Sequence, residues 1–292
     1  MTPPAIHIGL INNMPDSALE ATERQFRTLL CEASEGRAIR LSLFALPEVP
    51  RSDKVRHRMR NSYASVGALR DIQLDGLIVT GAEPMAANLN DEPYWASLAQ
   101  VVDWAQHNTI SSVWSCLAAH AAVLRMDSIE RRPLRDKLFG VFECANVSEH
   151  ALTAGIPARL WMPHSRWNDL PEDALSACGY RILTRSKAAG VDAFVKDGDS
   201  LFVFFQGHPE YEADSLLLEY QRDIRRFLKK EQTLYPLTPQ GQFNEEANTW
   251  RSTAVRFYRN WLRYLLDKKD QRLAFQRIQA DSARLETGDG TI

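Results

Sequence analysis

The sequence predicts an α/β fold, a mostly parallel sheet with helices on both faces. Short apolar runs such as "AIHIGLI" (5–11), "DGLIVTGAEP" (75–84) and "SSVWS" (111–115) alternate with longer stretches whose apolar residues recur at helical spacing. The chain has 292 residues, 45% of them hydrophobic, which is enough for a sizeable core. No internal repeat, low-complexity segment or linker interrupts the pattern, so one domain over 1–292 is expected, with a mobile tail from about 280.

The elements follow in order. Residues 5–11 read as the first strand. "SALEATERQFRTLLCEAS" (17–34) carries acids early and apolar residues at helical spacing, so it reads as a helix. "IRLSLFAL" (39–46) alternates as a second strand, and the run from 75 stops as a strand at Gly81. "EPYWASLAQVVDWAQHN" (92–108) is an amphipathic helix; "SSVWS" is a strand and "LAAHAAVLRM" (117–126) a helix. "KLFGVFECANV" (137–147) and "ARLWMPHSRWND" (158–169) read as strands or loops. Residues 190–230 give two strands, a turn and a long helix; "TWRSTAVRFYRNWLRYLLDKKDQ" (249–271) gives one more helix.

Charge and cysteine content narrow the function. The net charge of −2 argues against nucleic acid as the main partner, because phosphate binding needs a clustered basic face. No apolar run approaches the ~20 residues that span a bilayer, and "MTPPAIHIGLI" has no basic start before an apolar stretch. A cytoplasmic location, with no membrane partner, is therefore expected. Cys31, Cys116, Cys144 and Cys178 form no CxxC pair and match no zinc spacing, so free thiols and no metal site are expected.

Cys116 stands apart. Ligands of parallel α/β sheets bind beyond the carboxyl ends of the strands, and Cys116 lies at such an end, directly before a helix. A thiol there feels the partial positive charge of unpaired amides, and the amide of Leu117 can hold a developing oxyanion. Ala118, Ala119, Ala121 and Ala122 allow the tight strand–turn–helix of a nucleophile elbow. The ordinary alternative is a small buried hydrophobe, the usual state of a free cysteine.

A nucleophile needs a base. Of seven histidines, His7, His57 and His107 read as incidental, His120 as structural, and His150 lies in a polar loop. His164 and His208 each follow an apolar run. His208 is the better placed, since "LFVFFQG" ends as a strand just before it, and Glu210 two residues on can fix its tautomer. Cys116, His208 and Glu210 together suit acyl transfer through a thioester.

Further motifs, "NNMP" before "EATERQFRTLL", "DGLIVTGA", "NDEPYW", "KLFGVFE", "MPHSR", "GHPEYEADSL…R" and "WRS…NWL", make the chain resemble the homoserine O-succinyltransferase family over roughly residues 6–265. The resemblance implies a flavodoxin-like, class I glutamine amidotransferase-like fold. It implies Cys116 as acyl carrier, His208 as base, Glu210 as its orienting partner, and Lys137, Ser165 and Arg222 as substrate-binding residues. An Arg suits the carboxylate of homoserine, which it can meet bidentately. The acyl group would come from an acyl-CoA substrate, no cofactor would be needed, and the product would feed methionine synthesis. A homodimer is implied as well.

Four positions depart from the family pattern. "MPDSALEATE" carries no lysine after its proline; Met85 replaces the usual glycine or glutamate of the acyl-selecting position; Leu117 replaces tryptophan; Cys144 replaces histidine. The acyl donor, succinyl or acetyl, and the acceptor, homoserine or a relative such as serine, stay open at this stage. So do an amidotransferase-like hydrolase using the same three residues, and a catalytically silent binding protein.

Overall fold

In a computed structural model of the protein, residues 5–232, 234–241 and 247–287 are described, the last helix by its backbone alone at 275–278 and beyond 279. The chain runs β1 (Ile6–Ile11), α1 (Asp16–Ala33), β2 (Ile39–Ala45), α2 (Asp53–Met59), β3 (Tyr63–Ser65), β4 (Gly76–Val79), α3 (Trp95–Asn108), β5 (Ser111–Ser115) and α4 (Leu117–Asp127). It continues through β6 (Arg132–Asn146), β7 (Arg159–Asp169), α5 (Glu172–Ala177), β8 (Arg181–Ser186), β9 (Gly190–Lys196), β10 (Leu201–Phe205), α6 (Ser215–Leu228), β11 (Gln240–Gly241) and α7 (Arg251–Thr287).

One sheet carries all the strands, in the order β11-β6-β8-β9-β10-β5-β4-β1-β2-β3, with β7 paired to β6 off that path. From β3 to β10 the pairs are parallel. From β10 outward through β9, β8, β6 and β7 they are antiparallel. The expected parallel sheet is thus one side, from β10 to the β3 edge, and an antiparallel wing extends it beyond β10.

Period-two geometry feeds two cores, one on each face. Ile11, Leu77, Val79, Trp114, Phe202 and Phe204 pack under α3 and α4, against Val102, Ala105, Ala118 and Ala122. Their strand neighbours Leu10, Ile78, Val113, Val203 and Phe205 pack on the other face with Phe26 and Leu29 of α1 and Phe257, Trp261 and Leu265 of α7. The expectation of helices on both faces holds. Central strands buried on both sides read as continuous apolar runs, which is why "LFVFF" was legible; "SSVWS" is equally buried but carries three serines.

The sequence reading passed over α2, β3, α5 and β8. Each is short, and β8 ("RILTRS") exposes Arg181 and Arg185, so little apolar pattern marks it. The segments read as strands or loops, 137–147 and 158–169, are paired strands, in register from Leu138↔Arg166 to Ala145↔Arg159. Of the tail expected to be mobile, residues 280–287 continue α7, and 288–292 lie outside the described residues. No helix among the described residues is long and apolar enough to cross a membrane.

Candidate active site

β5 delivers Cys116 to the carboxyl edge of the sheet. Its backbone adopts φ 52° and ψ −115°, a conformation that non-glycine residues rarely hold. Two bonds enforce it. Cys116 N donates to Phe205 O at 2.7 Å, and Cys116 O accepts the first helical bond of α4, from Ala119 N at 2.9 Å. The amides of Leu117 and Ala118 precede that bond, so at this helix start they have no intrahelical acceptor. Gly81, at the end of the β4 run, packs against this turn: a Cβ there would lie 3.2 Å from Leu117 N. The expected elbow is present, and it needs the small residues the sequence supplies, since Ala118 and Ala119 are fully buried.

The neighbouring strand β10 delivers His208. His208 N donates to Pro163 O at 2.8 Å, and His208 Nδ1 meets Glu210 Oε1 at 2.9 Å. Both side chains are buried. Tyr211 stacks on the imidazole, with ring centroids 4.3 Å apart. Burial alone would lower the imidazole's pKa, but the Glu210 carboxylate and the Cys116 sulphur, each also within hydrogen-bonding reach, hold it well above the ordinary histidine value. The imidazolium is therefore the favoured form beside the sulphur. Ser115 Oγ also donates to Glu210 Oε1, at 3.4 Å.

The three residues from the other motifs converge on one carboxylate that sequence reasoning missed. Glu219, on α6, accepts from Lys137 Nζ at 2.9 Å, from Tyr211 OH at 3.2 Å and from Ser165 Oγ, and Arg222 Nη2 lies 3.5 Å away. Lys137 also bonds Asp223 Oδ2 at 3.0 Å. Burial would raise the Glu219 pKa, but Lys137 and Arg222, with the bonds from Ser165 and Lys137, bring it below the usual glutamate value, so it stays ionised. Glu219, Arg222 and Asp223 stand three and four apart on α6, the spacing that puts them on one face. That spacing was the available signal. The cluster adjoins the nucleophile: Cys116 Sγ lies 4.0 Å from Ser165 O, and Tyr211 reaches from His208 to Glu219.

Other candidates fall elsewhere. Met85 is 64% exposed, and its amide, like that of Ala86, is held by Glu92 Oε1, at 2.8 and 2.9 Å. His120 bonds Gln206 Oε1 at 2.8 Å in the interior, and burial lowers its pKa to about 3, in keeping with a structural role. His164 is fully buried, 3.4 Å from Asp192 Oδ1. Where the family carries lysine after "MP", the loop is braced by buried Arg51, which donates to Met14 O and, at 3.2 Å, to Asn12 O. Cys144, His164 and Asp192 are the one group among the described residues with the composition and proximity of metal ligands. Arg166 Nε points at His164 Nδ1 from 3.4 Å, so a guanidinium lies against this group and disfavours a cation there.

The chain is similar to known proteins in sequence and in fold. A family model described as homoserine O-succinyltransferase matches residues 4–272. The chain is 54% identical over 241 residues to a homoserine O-succinyltransferase of Rhodopseudomonas palustris, covering 82% of this chain and 72% of that one. It is 52% identical over 242 residues to one of Methylorubrum extorquens, covering 83% and 72%. Among solved structures, a glutamine amidotransferase from Thermotoga maritima superposes with a TM-score of 0.56 at 14% identity, over 90% of this chain and 99% of that one, a likeness of fold alone. The implied amidotransferase-like fold is thereby borne out. With a family match over nearly the whole length and relatives above half identity, the chain belongs to the homoserine O-succinyltransferase family.

Proposed function

We propose that this protein transfers a succinyl group from succinyl-CoA to the hydroxyl of homoserine, through a thioester on Cys116. The observation that carries the reading is the Cys116–His208–Glu210 constellation, set on a strained elbow directly beside an ionised Glu219–Arg222 pair.

The chemistry follows in two steps. The Cys116 thiolate attacks the thioester carbonyl, and the oxyanion that forms is met by the Leu117 amide at the start of α4. The bond to the coenzyme A sulphur breaks, and the His208 imidazolium gives that sulphur its proton. His208, now neutral, takes the proton of the homoserine hydroxyl as the oxygen attacks the acyl-enzyme, and the Cys116 sulphur leaves as thiolate. Glu210 holds the imidazole through both steps by its bond to Nδ1, leaving Nε2 for the reacting groups. The acceptor is a zwitterion: Arg222 suits its carboxylate, and Glu219 its ammonium. Both are polar side chains of one helix face, so they read two charges at a fixed separation.

The reading is tested by coenzyme A release with succinyl-CoA or acetyl-CoA against homoserine, serine or glutamine. The highest kcat/KM is expected for succinyl-CoA with homoserine. Coenzyme A release that ignores homoserine, or ammonia release from glutamine without an acyl donor, would overturn it in favour of a hydrolase.

A further inference from the structure

One half-buried guanidinium, that of Arg131, takes no part in the steps above. Arg131 sits in the link between α4 and β6. Its Nη2 donates to Ala87 O at 3.1 Å, and no carboxylate among the described residues comes within ion-pair distance of it. Burial lowers its pKa, while the Glu92 carboxylate is among the neighbours that favour the cation. Arginine keeps its charge under such burial, so a cation with no ion-pair partner among the described residues is left on the side of the loop away from Gly81. Glu92 Oε2 and Tyr94 OH, both buried, have no hydrogen-bond partner among the described residues.

The loop after β4 links this cation to the elbow. It begins at Gly81, packed on Leu117 N, and reaches Ala87, whose carbonyl Arg131 holds. Between them, Glu92 Oε1 fixes the amides of Met85 and Ala86. One end of the loop therefore adjoins the oxyanion amide, and the other adjoins the guanidinium. A succinyl group has two methylenes between its reacting carbonyl and its free carboxylate. A dicarboxylic chain whose carbonyl oxygen sits at Leu117 N and which follows this loop carries its free carboxylate toward the Arg131 side; an acetyl group has no such carboxylate.

We infer that Arg131 binds the free carboxylate of a dicarboxylic acyl donor, and so selects succinyl over acetyl transfer. This rests on the thioester reading above and names the group that reads the donor.

The test compares acylation of Cys116 by succinyl-CoA, acetyl-CoA and succinamoyl-CoA, an uncharged relative of the first, in the native protein and in Arg131→Gln. Native protein is expected to prefer succinyl- to succinamoyl-CoA by about 10- to 100-fold, the usual scale for a charge-assisted hydrogen bond. In Arg131→Gln that preference should collapse to within about threefold, with acetyl-CoA little changed. Arg131→Lys should keep part of it, since the charge remains and the fork is lost. A parallel fall for all three donors would overturn the proposal in favour of a structural role, and so would an unchanged preference. The native protein's comparison of charged and uncharged donors stands even if the variants fail to fold: no preference there overturns the proposal while leaving the thioester reading intact. No acylation by any donor would overturn both.

Discussion

Two cysteine–histidine–carboxylate groups lie back to back in this molecule, and they behave in opposite ways. Cys116, His208 and Glu210 sit where strands β5 and β10 end; Cys144, His164 and Asp192 sit inside the antiparallel wing. Only Gly207 separates them: a Cβ there would lie 2.7 Å from Asp192 Oδ1, and the next residue is His208. The residue types match, yet the titrations diverge. Glu210 and the Cys116 sulphur outweigh burial and hold His208 well above the ordinary value. His164, with burial and then the Arg166 charge against it, is held well below. Burial pushes the Cys144 thiol far up, and pushes the Asp192 carboxyl up to about 6. A trio becomes a candidate for chemistry through its opening, its helix start and its carboxylate geometry, not through its composition. The buried trio instead supports its neighbour. Asp192 Oδ2 accepts from Thr184 Oγ1 at 2.7 Å while its Oδ1 lies against Gly207, and Pro163, beside His164, accepts from the His208 amide.

The sharpest way to break this contrast is to remove each sulphur in turn. Cys116→Ser should lower kcat by about three orders of magnitude or more, because a hydroxyl lacks the thiolate's nucleophilicity. Cys144→Ser should leave kcat within about threefold and show its effect in stability, as a buried polar exchange does. Equal losses in a steady-state assay would erase the distinction between the trios.

Next in size is the pair of histidines. His208→Ala should slow turnover by about 10²- to 10⁴-fold, the range for loss of a general acid–base group. His164→Asn should cost less than about tenfold in kcat, because that ring touches no reacting atom. If the order were reversed, His164 would be the base.

Glu210→Gln should cost less than His208→Ala, since the amide retains part of the orientation. It also tests the electrostatic contrast. Loss of the carboxylate's charge removes support for the imidazolium, so the His208 titration followed by NMR should move down, toward the ordinary range. An unmoved titration would contradict the assigned cause.

The smallest effect concerns stability. The Asp192 pKa is raised in the folded protein, from 3.8 to about 6. A raised group contributes stability that is fully present below the lower value and is lost as pH rises through the upper one. Between about pH 4 and 6, Asp192→Asn should therefore flatten a decline that the native protein shows in urea unfolding. Parallel pH curves for the two proteins would show that Asp192 ionises freely.

What the sequence made legible follows the same division. Cys116, His208 and Glu210 could be picked out because short strands of a parallel sheet end just before them, and strand ends are where such folds place ligands. The antiparallel wing was harder to read. Its strands mix Arg, Asp and Glu with apolar residues because their edges face solvent, and β8 left no readable pattern. Lys137, Ser165 and Arg222 came only from the family resemblance; each alone looks like a solvated polar residue. Glu219, which ties them together, was hidden inside a helix whose charges read as an exposed face. Arg131 drew no notice because the two loops it ties together, through its bond to Ala87 O, meet only in the fold.

Intact-protein mass spectrometry after brief exposure to succinyl-CoA tests the central claim most directly. The account predicts a mass gain of one succinyl group, mapped to Cys116, absent from Cys116→Ser and discharged on adding homoserine. No gain, a gain on Cys144 or another thiol, or an adduct that homoserine leaves in place would contradict it.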